Sequence, residues 1–517
     1  MNKSRKFLSM VLAALLTLTF LSGVAQATVP AAKDGVVIAT AQEPTHFFNQ
    51  DEQYLTSQAK DGPVLMQLYD TLYWMDEDGS CQPSLATSYE VSDDGMEYVF
   101  ELRDDVYFHN GEKMTAEDVA FTYNLCVEKN AQLTKNLLMN FKEAQVVDDT
   151  HVKMVLSSPF PAFLAETTSR VGFVICKSYY EQVGSEGYDN APIGTGAYKF
   201  VERVSGSHVK MEAFDNYWNG APSIKYVTVK PISDVSTQFI SLDSGDIDVV
   251  VAASIPACLH LDENSKATWA EGISASRTAL YLNETPAGAP LVAVDENLRK
   301  AIQYGVNPSD LIAGVLSGHG LELDMDCVPT YQDAPKPGTY TPRVYDMEKA
   351  KEFLAKSNYK GEQLKLITLS ANERDAQIIQ GDLMMIGINI DVVPCDTATY
   401  YGYLMGALPY DMYIAGTTSS LNDVSSLLTQ YQSNPLTPDL RRPNYEELDA
   451  LCIASNTEMD HDKRAALFAQ IITIENERAV VVPLYSQPSS IAFNKALNGV
   501  QAHPQGAIRV WEWNWNK

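Results

Sequence analysis

A chain of 517 residues has length for two or three domains at roughly 100–200 residues each, with full hydrophobic cores. Its 66 acidic residues against 38 basic ones give a formal net charge of −28, which repels phosphate backbones and anionic lipid and excludes nucleic acid as a partner. The seven cysteines are odd in number and form no C-x-x-C pair, so at least one is unpaired within a monomer and no disulfide is assigned.

In chain order the first element is an export signal. Lys3, Arg5 and Lys6 form a basic start, residues 7–21 are apolar apart from Ser and Thr, and Ala25-Gln26-Ala27 is a cleavage site. Residues 1–27 are therefore expected to be a signal peptide, its core short of the ~20 apolar residues that span a bilayer. Leu21-Ser22-Gly23 begins like a lipoprotein cleavage box, but Val24 stands where the lipidated cysteine would be. The expectation is an exported protein, periplasmic or extracellular, with neither a lipid anchor nor membrane insertion.

Strand and helix signals then alternate. Residues 36–39 form a short buried strand followed by the turn Glu43-Pro44-Thr45, and residues 97–103 form another strand. Thr115 and Asp118 have capping-box spacing at a helix start, and Val119, Tyr123 and Cys126 share one face, which makes Cys126 a small buried hydrophobe. Val209, Met211 and Ala213 alternate as in a half-buried strand, and the strand 226–230 is stopped by Pro231. Further on, Asp346 caps a helix through Lys356, and residues 364–369 form a strand. Ile379, Leu383 and Ile386 mark a helix stopped by Gly387, ahead of a strand through Ile388, Ile390 and Val392. A last long helix carries Leu467, Ile471 and Ile474 and leads into the strand 479–484. This order predicts α/β lobes with mixed sheets, and the lack of a Pro/Gly/Ser linker suits lobes joined by crossing strands.

No H-E-x-x-H, G-x-S-x-G or G-x-x-x-x-G-K-[ST] motif is present, and no two histidines share a helix face. No catalytic residue, metal site or cofactor is therefore expected, and the chain is read as not an enzyme.

Four groups of motifs resemble the family-five extracellular solute-binding proteins, the oligopeptide, dipeptide and nickel-type receptors of ABC importers. The first is Leu68-Tyr69-Asp70-Thr71-Leu72-Tyr73, with Pro83-Ser84-Leu85-Ala86, residues 98–103, Phe108-His109-Asn110-Gly111 and residues 115–119. The second is Pro192-Ile193-Gly194-Thr195-Gly196-Ala197-Tyr198, with Tyr217-Trp218 and residues 242–248. The third is Leu280-Tyr281-Leu282-Asn283 with residues 298–302. The fourth is Tyr345-Asp346 with Ala350-Lys351, residues 383–388 and Val482-Pro483-Leu484-Tyr485. Gly111, Gly196 and Gly245 are expected where φ is positive or backbones approach closely. Arg103, Asp118 and Asp248 are expected to be structural.

The resemblance implies a two-lobed periplasmic-binding-protein type II fold with a subdomain inserted in the first lobe. Residues 28–64, 170–281 and 486–517 would form the lobe I core, 65–169 the inserted subdomain and 282–485 lobe II, with hinges near 281–283 and 484–486. It implies a monomeric receptor that closes on a small solute, peptides included, and delivers it to ABC permease subunits. The expected cleft residues are His46, Phe47, Tyr403, Thr417, Thr418, Ser419, Ser420, Asn422, Asp423 and Tyr485. Peptide-binding members carry Trp and then an ammonium-pairing Asp where this chain has Thr417 and Ser420. Either Asp423 or Glu43 supplies that charge here, or the solute lacks a free ammonium. Two other readings are a secreted hydrolase using Trp511, Trp513 and Trp515 as a carbohydrate platform, and a sensory protein feeding a chemoreceptor.

Overall fold

Lobe I grows from the strand Gly35–Thr40, in which Val36, Ile38 and Ala39 are buried, as suits a strand covered on both faces. It pairs in parallel with Tyr226–Pro231 on one side and Val249–Val251 on the other. Antiparallel strands complete a seven-stranded sheet in the order Ala267–Gly272, Ser489–Asn494, Val249–Val251, Gly35–Thr40, Tyr226–Pro231, His208–Ala213, Tyr198–Val204. The computed structural model describes residues 33–516 except 55, 58, 77, 131–137, 139, 262, 285–288, 407, 420, 432–445 and 505. The expected signal peptide and Ser420 lie outside the described residues.

An antiparallel four-stranded sheet, Ala86–Val91, Glu97–Leu102, His151–Leu156 and Phe141–Asp148, forms the inserted subdomain together with the helix Ala116–Lys129. The Asp118 carboxylate accepts the Thr115 N–H at 3.0 Å, closing the helix start, and Cys126 is fully buried on the face shared with Val119 and Tyr123.

Lobe II holds a six-stranded mixed sheet in the order Leu321–Glu322, Val481–Ser486, Ser276–Leu282, Met412–Thr418, Gln363–Leu369, Asn389–Cys395. The helix Met347–Lys356 is capped by Asp346, whose carboxylate accepts from the Glu348 and Lys349 N–H groups. The helix Glu373–Ile386 stops at Gly387 with φ +95°.

The chain passes between lobes at residues 273–275 and at 487–488, which corrects the expected hinges. Ser276–Leu282 lies wholly in the lobe II sheet, Tyr281 stacks on Tyr413 at 4.9 Å, and Leu282 belongs to the lobe II core. The breaks fall where local chemistry ends a strand. Gly272 lies so close to the Ala502 carbonyl that a Cβ would sit 2.2 Å from it, and Pro488 has no N–H to donate.

The motif groups quoted above meet in space at Asp70. Its carboxylate is buried and accepts hydrogen bonds from the Tyr217 hydroxyl (2.9 Å), the Trp218 indole N–H (3.0 Å) and the Thr195 hydroxyl (3.0 Å). Burial pushes this carboxyl up and the three donors pull against it. At Gly196 any Cβ would lie 2.5 Å from the Gln67 carbonyl oxygen, so these segments are in direct backbone contact.

Six of the seven cysteines are buried, and Cys81 is half-buried. Among the described residues no helix is long and apolar enough to cross a membrane, and no group of three or more His, Cys, Asp or Glu residues is placed to hold a metal ion.

Candidate functional site

Strand direction locates the site. In lobe I, Gly272 pairs with Ser489 beside the crossings, Val251 with Ile491, and Ile38 with Val249, so the parallel strands point their carboxyl ends toward the crossings. In lobe II, Thr418 pairs with Ser276 at the same end. Loops that follow these strand ends therefore face each other between the lobes, the position where α/β sheets hold ligands.

The loop after Met412–Thr418 is a hydrogen-bonded turn. The Ser419 hydroxyl oxygen accepts the N–H groups of Leu421 (3.2 Å) and Asn422 (3.0 Å), and Asn422 adopts φ +50°. The Asn422 amide nitrogen donates to the Thr330 carbonyl at 3.0 Å and, across the cleft, to the Gly79 carbonyl at 3.3 Å. Leu421 and Met459, both from lobe II, pack on the core of the inserted subdomain. The structure thus holds the two lobes closed on one another.

Asp423 is fully committed within lobe II. Its two oxygens accept from the Arg464 guanidinium at 2.7 and 2.8 Å, one also takes the Ser425 N–H at 2.7 Å, and both partners of the ion pair are 0 % exposed. Arg464 reaches Asp333 as well, at 2.7 Å. Glu43 pairs with Arg203 at 2.9 Å, and the Gly206 N–H and the guanidinium hold its carboxyl below the usual range. Neither acid is an uncommitted charge, which corrects the expectation that one of them awaits an ammonium group.

The remaining expected residues divide by place. Thr417, Thr418, Ser419, Asn422 and Asp423 gather at the closing turn, and of these the Thr417 hydroxyl and the Asn422 side-chain oxygen are buried without a hydrogen-bond partner among the described residues. His46 bonds Asp189 at 3.0 Å. Phe47 is a core residue of lobe I, packed on Phe200 and held by its N–H to the same aspartate at 2.7 Å. Tyr403 is buried edge-on against Tyr410 at the end of the lobe II sheet opposite the crossings. Tyr485 donates its hydroxyl to Asp375 at 2.6 Å inside the lobe II core. The rings of Phe47, Tyr403 and Tyr485 thus each pack within their own lobe.

Sequence reasoning missed Glu166. It ends the short helix Phe163–Glu166 of the inserted subdomain, is 1 % exposed, and neither carboxylate oxygen has a hydrogen-bond partner among the described residues. Burial pushes its carboxyl well above the usual range, and the Asp423 charge pushes the same way across the cleft. The signal was an acid closing the apolar run Phe160-Pro161-Ala162-Phe163-Leu164-Ala165.

The tail tryptophans are anchored in lobe I. Trp513 is buried, the Trp515 indole donates to the Gly35 carbonyl at 3.2 Å, and Trp511 packs on Tyr217. Trp511 and Trp515 are half-buried against lobe I, and this packing lends the carbohydrate-platform reading no support.

Two α/β lobes joined by two crossings and closed over buried polar groups define a solute receptor of the type II periplasmic-binding fold. The sequence model of the bacterial extracellular solute-binding proteins, family 5 (middle region) matches residues 80–437, and the chain belongs to that family. It is 27% identical over 375 residues to the glutathione-binding protein GsiB of Pectobacterium atrosepticum, covering 71% of this chain and 70% of that one. It is 24% identical over 467 residues to heme-binding protein A of Haemophilus influenzae, with 82% of each chain covered. The fold matches that of the ABC transporter-associated periplasmic binding protein DppA of Helicobacter pylori in complex with the peptide STSA, with a TM-score of 0.75. That match has 22% identity and covers 94% of this chain and 99% of the other.

Proposed function

We propose that this protein captures a peptide or peptide-like solute outside the cytoplasm by closing its lobes and presents it to the permease of an ABC importer. It acts as a monomer and makes or breaks no bond. Residues 1–27 direct export, and Val24 in place of a lipidated cysteine leaves it without an acyl anchor.

The observation that carries the reading is the closing turn. Leu421 enters the core of the inserted subdomain and Asn422 bonds Gly79, while the Thr417 hydroxyl, the Asn422 side-chain oxygen and the Glu166 carboxylate are buried without partners among the described residues. Each buried polar atom without a partner costs about 1–3 kcal/mol, which a solute rich in amide donors and acceptors would recover on binding. A peptide backbone offers that pattern, and glutathione and STSA, the cargoes of two relatives, are both peptides. Heme, the cargo of another relative, asks for a broad apolar slot and suits these groups less well.

Mass spectrometry of the solute retained by gently purified protein, followed by calorimetry with di- to pentapeptides and glutathione, tests this. A retained peptide with one-to-one binding supports it. Turnover of any probe, or retention of a porphyrin with no peptide binding, overturns it.

A further inference from the structure

Glu166 and Asp423 approach from opposite lobes, yet only Asp423 is neutralised. The Arg464 guanidinium serves both Asp423 and Asp333, and His461 lies 3.0 Å from Asp333 on the exposed side. Two carboxylates, Asp423 and Asp333, therefore share one guanidinium, and Glu166, which has no such partner among the described residues, is the most deeply enclosed of the inserted subdomain's acids. Glu166 is held rigidly: its carbonyl accepts the Ser169 N–H at 3.0 Å and hydroxyl at 2.7 Å. The buried Tyr123 and Tyr98 hydroxyls both feel its charge, and the Tyr123 hydroxyl has no hydrogen-bond partner among the described residues. On the lobe II side the Thr417 hydroxyl and the Asn422 side-chain oxygen are also unsatisfied among the described residues.

We propose, building on the peptide reading above, that the Glu166 carboxylate is the counter-charge for a cationic nitrogen of the solute. An ammonium group has three N–H donors and no acceptor. Two carboxylate oxygens and a tyrosyl hydroxyl on the inserted subdomain, with oxygens on the closing turn, are the complement it requires. The charge balance gives the same answer, because a cation entering this region removes the repulsion between Glu166 and Asp423 that lobe closure creates. The anchor thus sits on the inserted subdomain, whereas the resemblance placed it at the lobe II position occupied here by Ser420. A neutral, protonated Glu166 that donates to a solute carbonyl is the competing role, and Gln in its place would preserve that donor.

The test uses the full mature chain and a random di- to pentapeptide library, either with free amino termini or N-acetylated, read by native mass spectrometry. Wild-type protein is expected to retain free-amine peptides at least tenfold better than acetylated ones. Glu166→Gln is expected to lose free-amine peptides by at least tenfold, to treat acetylated peptides as wild type does, and to unfold at the same temperature or higher without peptide. Free-amine binding by Glu166→Gln within twofold of wild type overturns the inference and leaves the peptide reading standing. Should that variant fail to fold, wild-type protein that binds acetylated peptides as tightly as free-amine ones overturns it equally. A wild-type protein that binds neither library overturns the peptide reading, and this inference with it.

Discussion

Burial keeps His109 neutral, and its hydrogen bonds fix which ring nitrogen carries the proton. The Gly194 N–H donates to Nδ1 at 3.2 Å, which leaves the ring proton on Nε2, 2.9 Å from the Gly196 carbonyl. Burial pushes its pKa down to about 4, Gly196 pulls it partly back, and the Lys199 charge adds to the lowering. His503 is likewise pushed down to about 4, mainly by burial. Between the ordinary histidine value near ~6.5 and about 4, the unfolded chain binds more protons than the folded one, so stability is complete above that window and falls as pH drops through it. Melting temperatures from pH 7 to pH 4 are expected to fall less steeply in His109→Gln than in wild type; equal slopes would remove this account. Single-residue roles of this kind were poorly legible in the sequence. Asp423 was read as a candidate ligand contact, whereas its partner Arg464 is 41 positions away and nothing local announces the pair. Glu166 was passed over because an acid after an apolar run reads as a solvated helix end until tertiary structure covers it.

At the scale of elements the legible parts were those fixed by neighbours in sequence. The Asp346 cap, the Gly387 stop and the Thr115–Asp118 pairing are local chemistry, and each stands where spacing put it. The hinges were placed inside strands because nothing in a strand's own residues says which of the two sheets it joins. Only Gly272 and the Gln487-Pro488 step mark the true crossings. The family motifs supplied order along the chain, and their convergence on Asp70 supplies its physical reason: segments 68–73, 192–198 and 217–218 close around one buried carboxylate. Asp70→Ala would leave two hydroxyls and an indole N–H without an acceptor in the lobe I interior, a loss of about 3 kcal/mol or more at roughly 1–3 kcal/mol per orphaned donor. Asp70→Asn keeps two acceptor lone pairs and is expected to cost less. Urea midpoints at constant slope read the difference, and an Asp70→Ala protein as stable as wild type would dismiss the network as a stabilising centre.

A glycine at the tip of a hairpin meets the closing turn of the opposite lobe. Gly79 follows the strand Tyr73–Met75 and precedes Cys81–Pro83, and its N–H donates to the Asp76 carbonyl at 3.0 Å. Its φ is +84°, and a Cβ built there would lie 2.1 Å from the Asn422 amide nitrogen of the opposite lobe. A methyl group at Gly79 therefore has two separable effects. The backbone strain of about 1 kcal/mol is present whether the lobes are open or closed. The collision exists only in the closed form, so it shifts the population toward the open one, and affinity falls in proportion to the closed fraction lost. Gly79→Ala is accordingly expected to weaken binding of the co-purifying solute at least tenfold, with only a small drop in the melting temperature of solute-free protein. Its radius of gyration by small-angle scattering should stay at the open value when solute is added. Asn422→Ala alone loses the bond to Gly79 and should bind somewhat more weakly than wild type. The double variant removes the colliding amide and is expected to bind better than Gly79→Ala alone, a non-additivity that strain within the hairpin cannot produce. If the double variant binds no better than Gly79→Ala, or if Gly79→Ala closes as wild type does, the contact between the hairpin and the closing turn does not govern closure.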